Sequence, residues 1–174
     1  MCTVVVIAGR HPRFPLVVAA NRDEFLARPA RGPTRVHEAP RVVAGLDLQA
    51  GGSWLGANEH GLFVALTNQR QHAALAPRPR SRGEVVLEAL AQRDVAGVDR
   101  FLASLDPSAY HGFNLFYGAG DALRVAYARE RVEVRRLGPG VWVLPNDEIG
   151  SPDFPKTRRA RALVEPLAAR PWPE

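Results

Sequence analysis

Apolar residues in this chain first appear in short runs of strand length. Residues 2–8 form one such run and residues 16–20 a second, with Gly9, Pro12 and Pro15 between them. Apolar runs of about four to eight residues bounded by turn formers read as buried strands. The two runs have similar lengths, so a hairpin with its turn at residues 9–15 returns Asn21, Arg22 and Asp23 to the side of Cys2. The segment 27–40 then holds Pro29, Gly32, Pro33 and Pro40. Proline lacks a ladder donor and glycine lacks a packing side chain, which predicts a loop.

Residues 41–45 read as a short strand and Gly51-Gly52 as a tight turn. Residues 53–57 and 61–68 form a hairpin around 58–61, and 62–67 is apolar on both faces, as expected of a strand between two layers. The polar, proline-bearing segment 69–80 is a loop suited to a lid. Ser81 with Glu84 three positions on is a capping box, and Val85, Val86, Leu87, Ala89 and Leu90 give the following helix its apolar face. A second helix spans 94–105, capped by Asp94, with Val95, Val98, Phe101, Leu102 and Leu105 at helical spacing.

Residues 113–117, 123–129 and 132–136 read as strands, with a hairpin turn at 118–121. Residues 141–144 form a last short strand, and a helix opening at 151–153 runs to about residue 169. Hairpins around a helical pair, with a terminal helix, predict an α+β layered fold.

Length and composition narrow the classes. A chain of 174 residues, 46% hydrophobic and 24% charged, reads as a single soluble globular domain over 1–174. No apolar run approaches the ~20 residues of a membrane span. Residues 4–8 are too short for a secretory h-region and follow no basic residue. A lone cysteine excludes an intrachain disulfide and fits a reducing compartment, so the expected location is the cytoplasm.

The net charge is +5, and Lys156 is the only lysine among 23 basic residues. This arginine bias reads first as coding composition, with an ion-paired surface or a preference for carboxylate or phosphate ligands as the alternatives. The run from Lys156 to Arg161 lacks interleaved aromatics and reads as a solvated helix face, so no nucleic acid partner is expected. His11, His37, His60, His72 and His111 show no zinc spacing, so no metal is expected. Gly118-Ala119-Gly120 lacks the third glycine of a dinucleotide site, and Leu55 breaks a Gly-x-Ser-x-Gly elbow.

Cys2 remains as the candidate nucleophile. A thiol of ordinary pKa ~8.5 is partly thiolate at neutral pH. Removal of Met1 would put a free α-amine on the same residue, and an amine of pKa ~7.7–8.0 can take the thiol proton directly or through one water. The opposing reading is a buried, inert cysteine. Arg22, Asp23 and Glu24 can equally be a solvated turn with local ion pairs, and Asn68 and Asn146 can be Asx-turns at strand ends. Trp54 reads as core rather than pocket wall.

The motifs decide among these readings. Met1-Cys2-Thr3, the first hairpin, Asn21-Arg22-Asp23-Glu24, Gly51-Gly52-Ser53-Trp54-Leu55-Gly56 and Leu66-Thr67-Asn68 occur in that order. Leu144-Pro145-Asn146 and Ser151-Pro152-Asp153-Phe154-Pro155-Lys156 follow. Together they resemble the family named for its Asn-Arg-Asp-Glu (NRDE) motif, also called the transport and Golgi organisation family. That family is similar to N-terminal nucleophile hydrolases of the penicillin V acylase and bile-salt hydrolase kind.

The resemblance implies a four-layer αββα sandwich of antiparallel sheets. It implies a cysteine N-terminal nucleophile amidohydrolase acting on a small non-peptide amide, without a cofactor. Cys2 attacks, Asp23 orients the α-ammonium, and Asn68 donates to the oxyanion. Asn21 matches an asparagine of that motif and Asn146 one expected to hold substrate or close the site, and with Arg22 they are the substrate-binding candidates. The related enzymes carry arginine where this chain has Ala20, and by strand alternation Arg22 is the substitute cation. The alternative function is a non-catalytic small-molecule carrier, because the family has been linked to haem handling and thiolate is a haem ligand type. Family members continue past the last helix into a further strand pair, whereas this chain stops at Glu174. The resemblance therefore leaves open smaller sheets, a pocket open on one side, or a homodimer in which a partner completes them.

Overall fold

A computed structural model describes residues 2–11, 13–70, 80–151 and 153–168 of the chain. The first two apolar runs form β1 (Thr3–Ala8) and β2 (Leu16–Asn21). They pair antiparallel with Thr3 opposite Asn21 and Ala8 opposite Leu16. The last strand, β10 (Gly140–Leu144), pairs with the other edge of β1, giving a three-stranded sheet in the order β10-β1-β2.

The second sheet has seven antiparallel strands in chain order. These are β3 (Ala30–Glu38), β4 (Arg41–Asp47), β5 (Leu55–Asn58), β6 (Phe63–Asn68), β7 (Phe113–Ala119), β8 (Ala122–Ala128) and β9 (Val132–Leu137). Helices α1 (Arg82–Leu90) and α2 (Val95–Ala103) interrupt the meander between β6 and β7, and α3 (Pro155–Ala168) follows β10.

Strand alternation turns these elements into four layers. On β6, Val64 and Leu66 pack with Val86, Leu90 and Leu102 of the helices. Phe63 and Ala65, on the opposite face of the same strand, pack with Val4 and Val6 of β1. β7 and β8 repeat the division: Leu115 and Tyr117 meet the helices, while Phe116 and Val125 meet the smaller sheet. The outer face of that sheet buries Ile7 and Val141 against Ala168 of α3. The layering is thus α1/α2, large sheet, small sheet, α3, the αββα order expected from the sequence. Full burial of each Leu, Val or Phe in these interfaces contributes about 1.5–3 kcal/mol before entropic costs.

The starts of α1 and α2 follow the sequence closely, whereas α3 opens at Pro155 rather than at 151–153. Ser81 accepts from Gly83 N at 3.2 Å, while Glu84 accepts from Ser81 N at 3.0 Å. Asp94 caps α2 by accepting from Gly97 N at 2.7 Å.

The expected loop at 27–40 is corrected: most of it is β3. Its ladder to β4 slips between Arg31 and Thr34, so Gly32 and Pro33 fall where pairing is already broken. β3 is also an edge strand and mostly exposed, which is where a sheet tolerates proline. The expected lid lies largely at 71–79, outside the described residues. Among the described residues, no helix is long and apolar enough to cross a membrane.

Candidate active site

The β1–β2 register brings the chain start to the Asn-Arg-Asp-Glu segment. Thr3 is opposite Asn21, so Cys2 and Arg22 continue the two strands from that pair. A cavity of about 130 Å³ opens there, with Cys2, Arg22, Asp23, Trp54, Asn68 and Arg82 in its wall. Ligand pockets usually measure about 300–1,000 Å³, so this volume suits the reacting end of a ligand.

Asp23 is positioned from two sides. Asn21 donates from Nδ2 to Asp23 Oδ1, and Lys156 Nζ at the start of α3 stands 3.4 Å from Asp23 Oδ2. The only lysine of the chain therefore reaches the motif from 133 residues away.

Asn68 ends β6 with its side chain exposed towards the cavity. Its backbone is fixed by two groups behind it. Asn146 Nδ2 donates to Asn68 O at 2.6 Å, and Asn68 sits opposite Phe113 in the β6–β7 ladder. A buried polar cluster holds the adjoining turn. Asn114 Nδ2 donates to Thr67 Oγ1 at 3.0 Å and to Asp147 O at 3.1 Å, and Thr67 Oγ1 donates to Pro145 O at 2.7 Å. Asn114 and Thr67 are fully buried, so these bonds replace water that the groups have lost.

Arg22 does not stand alone. Its guanidinium lies 4.5 Å from the centre of the Trp54 ring and donates to Asp47 Oδ2 at 3.1 Å. Arg28 donates to the same oxygen at 2.7 Å, and both arginines lie 3.8 Å from Glu24. Burial alone would raise the Asp47 carboxyl pKa. Backbone donation from Ala50 and Gln49, with the Arg28 guanidinium, outweighs it and leaves Asp47 below the ordinary carboxylate value.

Arg82, the first residue of α1, comes at the cavity from the helix layer. It is partly buried and donates from Nη1 to Gly112 O at 3.3 Å. The helix start is seated by a glycine pair: a Cβ on Gly52 would lie 2.5 Å from Gly83 C, and one on Gly83 would lie 2.9 Å from Gly52 Cα. Ser53 N donates to Gly83 O at 3.1 Å across this contact. Only two residues without side chains permit the approach, which puts α1 against the loop carrying Trp54.

Of the six site residues read from the sequence, Cys2, Arg22, Asp23 and Asn68 line the cavity together. Asn21 and Asn146 stand outside its wall, and each holds a residue within it, Asp23 and Asn68 respectively. Trp54, expected in the core, is a pocket wall instead, partly exposed beneath Arg22. Arg28, Asp47 and Arg82 were missed. The capping box located the start of α1, but no local signal says which loop that start meets.

The comparisons with known proteins agree with this architecture. The Transport and Golgi organization protein 2 homolog of Bos taurus is 34% identical over 148 residues, 80% of this chain and 53% of that protein. The Homo sapiens homolog is 32% identical over the same shares. The chain thus spans about half the length of the curated relatives it matches. A crystal structure of a variant conjugated bile acid hydrolase from Clostridium perfringens superposes with a TM-score of 0.55 at 16% identity, over 82% of this chain and 53% of that one. That likeness establishes the N-terminal nucleophile hydrolase fold. The family model described as Transport and Golgi organisation 2 matches residues 1–171, and with the motifs and layers above this places the chain in that family.

Proposed function

We propose that the chain is a cysteine N-terminal nucleophile amidohydrolase acting on a small non-peptide amide. The observation that carries the reading is the convergence of Cys2, Asp23 and Asn68 on one small cavity from three separate segments. Removal of Met1 frees the Cys2 amine, and Asp23 orients it. The thiol proton passes to that amine as Cys2 Sγ attacks the amide carbonyl carbon. Asn68 Nδ2 donates to the oxygen as it gains charge, a role worth about 10²–10³ in rate in comparable sites. The carbon–nitrogen bond then breaks and the leaving amine takes the proton. Water hydrolyses the resulting thioester and restores the thiol. Among the described residues the side-chain amide of Asn68 makes no hydrogen bond, which leaves it available for this role. The carrier reading needs room for a macrocycle against Cys2, and a cavity of about 130 Å³ favours the acyl end of a small amide instead.

The test compares Met1-retaining protein with protein treated with methionine aminopeptidase, the masses confirming each. Both are assayed for hydrolysis of an amide library, with Cys2→Ala as control. Hydrolysis confined to the processed protein and lost in Cys2→Ala is the expected result. Equal hydrolysis in both preparations, or none in either, overturns the reading.

A further inference from the structure

Among the described residues, one cation of the cavity wall has no carboxylate at ion-pair distance. Three carboxylates stand there: Asp23, Glu24 and Asp47. Asp47 is bonded by Arg22 at 3.1 Å and Arg28 at 2.7 Å, Glu24 lies 3.8 Å from both, and Asp23 is 3.4 Å from Lys156. Arg82 is the cation left over. Among the described residues no carboxylate lies within ion-pair distance of it, and its one hydrogen bond is the long 3.3 Å contact to Gly112 O. It is nevertheless partly buried, and the close Gly52–Gly83 approach seats the backbone beside it.

We propose that Arg82 forms an anion subsite beside Cys2, so that the substrate is an amide carrying a carboxylate within reach of its scissile carbonyl. The proposal rests on the nucleophile reading of Cys2 and names the substrate class for it. A guanidinium withdrawn from water with no carboxylate at ion-pair distance loses solvation that one long bond to Gly112 O returns only in part. A ligand carboxylate restores it through the planar fork, which offers parallel N–H donors that a lysine lacks. The electrostatics agree. Burial depresses the Arg82 pKa, Cys2 and Glu24 act to hold its charge, and Arg28 opposes them. Arg82 thus senses Cys2 across the cavity, where an anionic reactant would meet both.

Two alkylating reagents of similar size test this: iodoacetate, which carries the carboxylate, and iodoacetamide, which does not. The quantity read is the ratio of their rates at Cys2 in folded, mass-verified protein. The expected result is a ratio that falls about tenfold in Arg82→Gln and Arg82→Met, the scale of losing one charge-assisted hydrogen bond, with partial retention in Arg82→Lys. A second arm needs no variant: millimolar succinate should protect wild-type Cys2 from iodoacetamide, and succinamide should not. An Arg82→Gln ratio equal to wild type in folded protein overturns the subsite while iodoacetamide reactivity leaves the nucleophile standing. If the variants do not fold, absence of succinate protection overturns it. A wild-type Cys2 inert to both reagents overturns the nucleophile reading and the subsite with it.

Discussion

Asn146 donates from Nδ2 to the backbone oxygen of Asn68 at 2.6 Å, across 78 residues of chain. The two asparagines of the two sequence motifs are therefore one device. Asn68 presents its amide to the cavity, and Asn146, only 7% exposed, holds the strand end that presents it. The same loop returns a second bond, from Arg70 N to Asn146 O at 2.7 Å.

Replacing Asn68 with Ala should lower kcat for amide hydrolysis by about 10²–10³ while changing KM much less. In the proposed mechanism the carbonyl oxygen gains charge only as Cys2 attacks, so a donor to it matters most in the transition state. Steady-state kinetics decide the point. An unchanged kcat with a raised KM would reassign Asn68 to ground-state binding.

Asn146→Ala should act on stability as well as rate. It removes the donor of a part-buried bond to the Asn68 carbonyl, at a cost of about 1 kcal/mol. Urea denaturation should show the lower midpoint. Asn146→Asp, which keeps the shape without the donor, should lose a similar amount.

Gly83→Ala has two opposed effects. Alanine within a helix is ordinarily better than glycine by about 1 kcal/mol. Here the new Cβ would lie 2.9 Å from Gly52 Cα and 2.9 Å from Ser53 N, both backbone atoms that cannot swing aside. Overpacking of about 1–3 kcal/mol should prevail, and the melting temperature should fall. A rise would show that α1 can slide away from the Trp54 loop.

Asp47 gives the site an acid limit. Its carboxyl lies below the ordinary value of 3.8 in the folded state. A depressed folded pKa contributes stability that is fully present above the unfolded value and is lost as pH falls through the folded one. The stability gap between wild type and Asp47→Asn should be widest above about pH 5 and close as pH falls below about 4. Urea midpoints across pH 2.5–6 measure it; a constant gap would mean the contribution is not ionic.

The alkaline side is set by tyrosine. Burial raises the pKa of all three tyrosines of the chain, Tyr110, Tyr117 and Tyr127. Tyr117 is held furthest, with Asp99 accepting its hydroxyl at 2.6 Å in addition. A raised folded pKa contributes stability below the unfolded value of about 10 that is lost as pH rises beyond it. Absorbance at 295 nm should therefore show little tyrosinate at pH 10 in folded protein, then a cooperative rise on unfolding. A smooth titration of one tyrosine at its ordinary pKa would contradict the burial.

The sequence by itself determined what depends on near neighbours. Matched apolar runs set the β1–β2 register and so put Cys2 beside Asp23, while Ser81, Glu84 and Asp94 placed both early helices through bonds spanning two or three residues. The motifs carried the family and, through it, the four layers. Tertiary structure alone decided the rest. Residues 30–38 look like a loop until β4 supplies a ladder that skips Gly32 and Pro33. Arg22 looks like a free cation until Asp47 arrives from 25 residues on. Trp54 looks like core until the cavity beside it is seen, and only the Gly52–Gly83 approach seats the start of α1, with Arg82, at the wall that also holds Cys2. Capping and alternation are written in residues a few positions apart, whereas a cavity is the space left where distant segments stop short of each other, and no single segment encodes that distance.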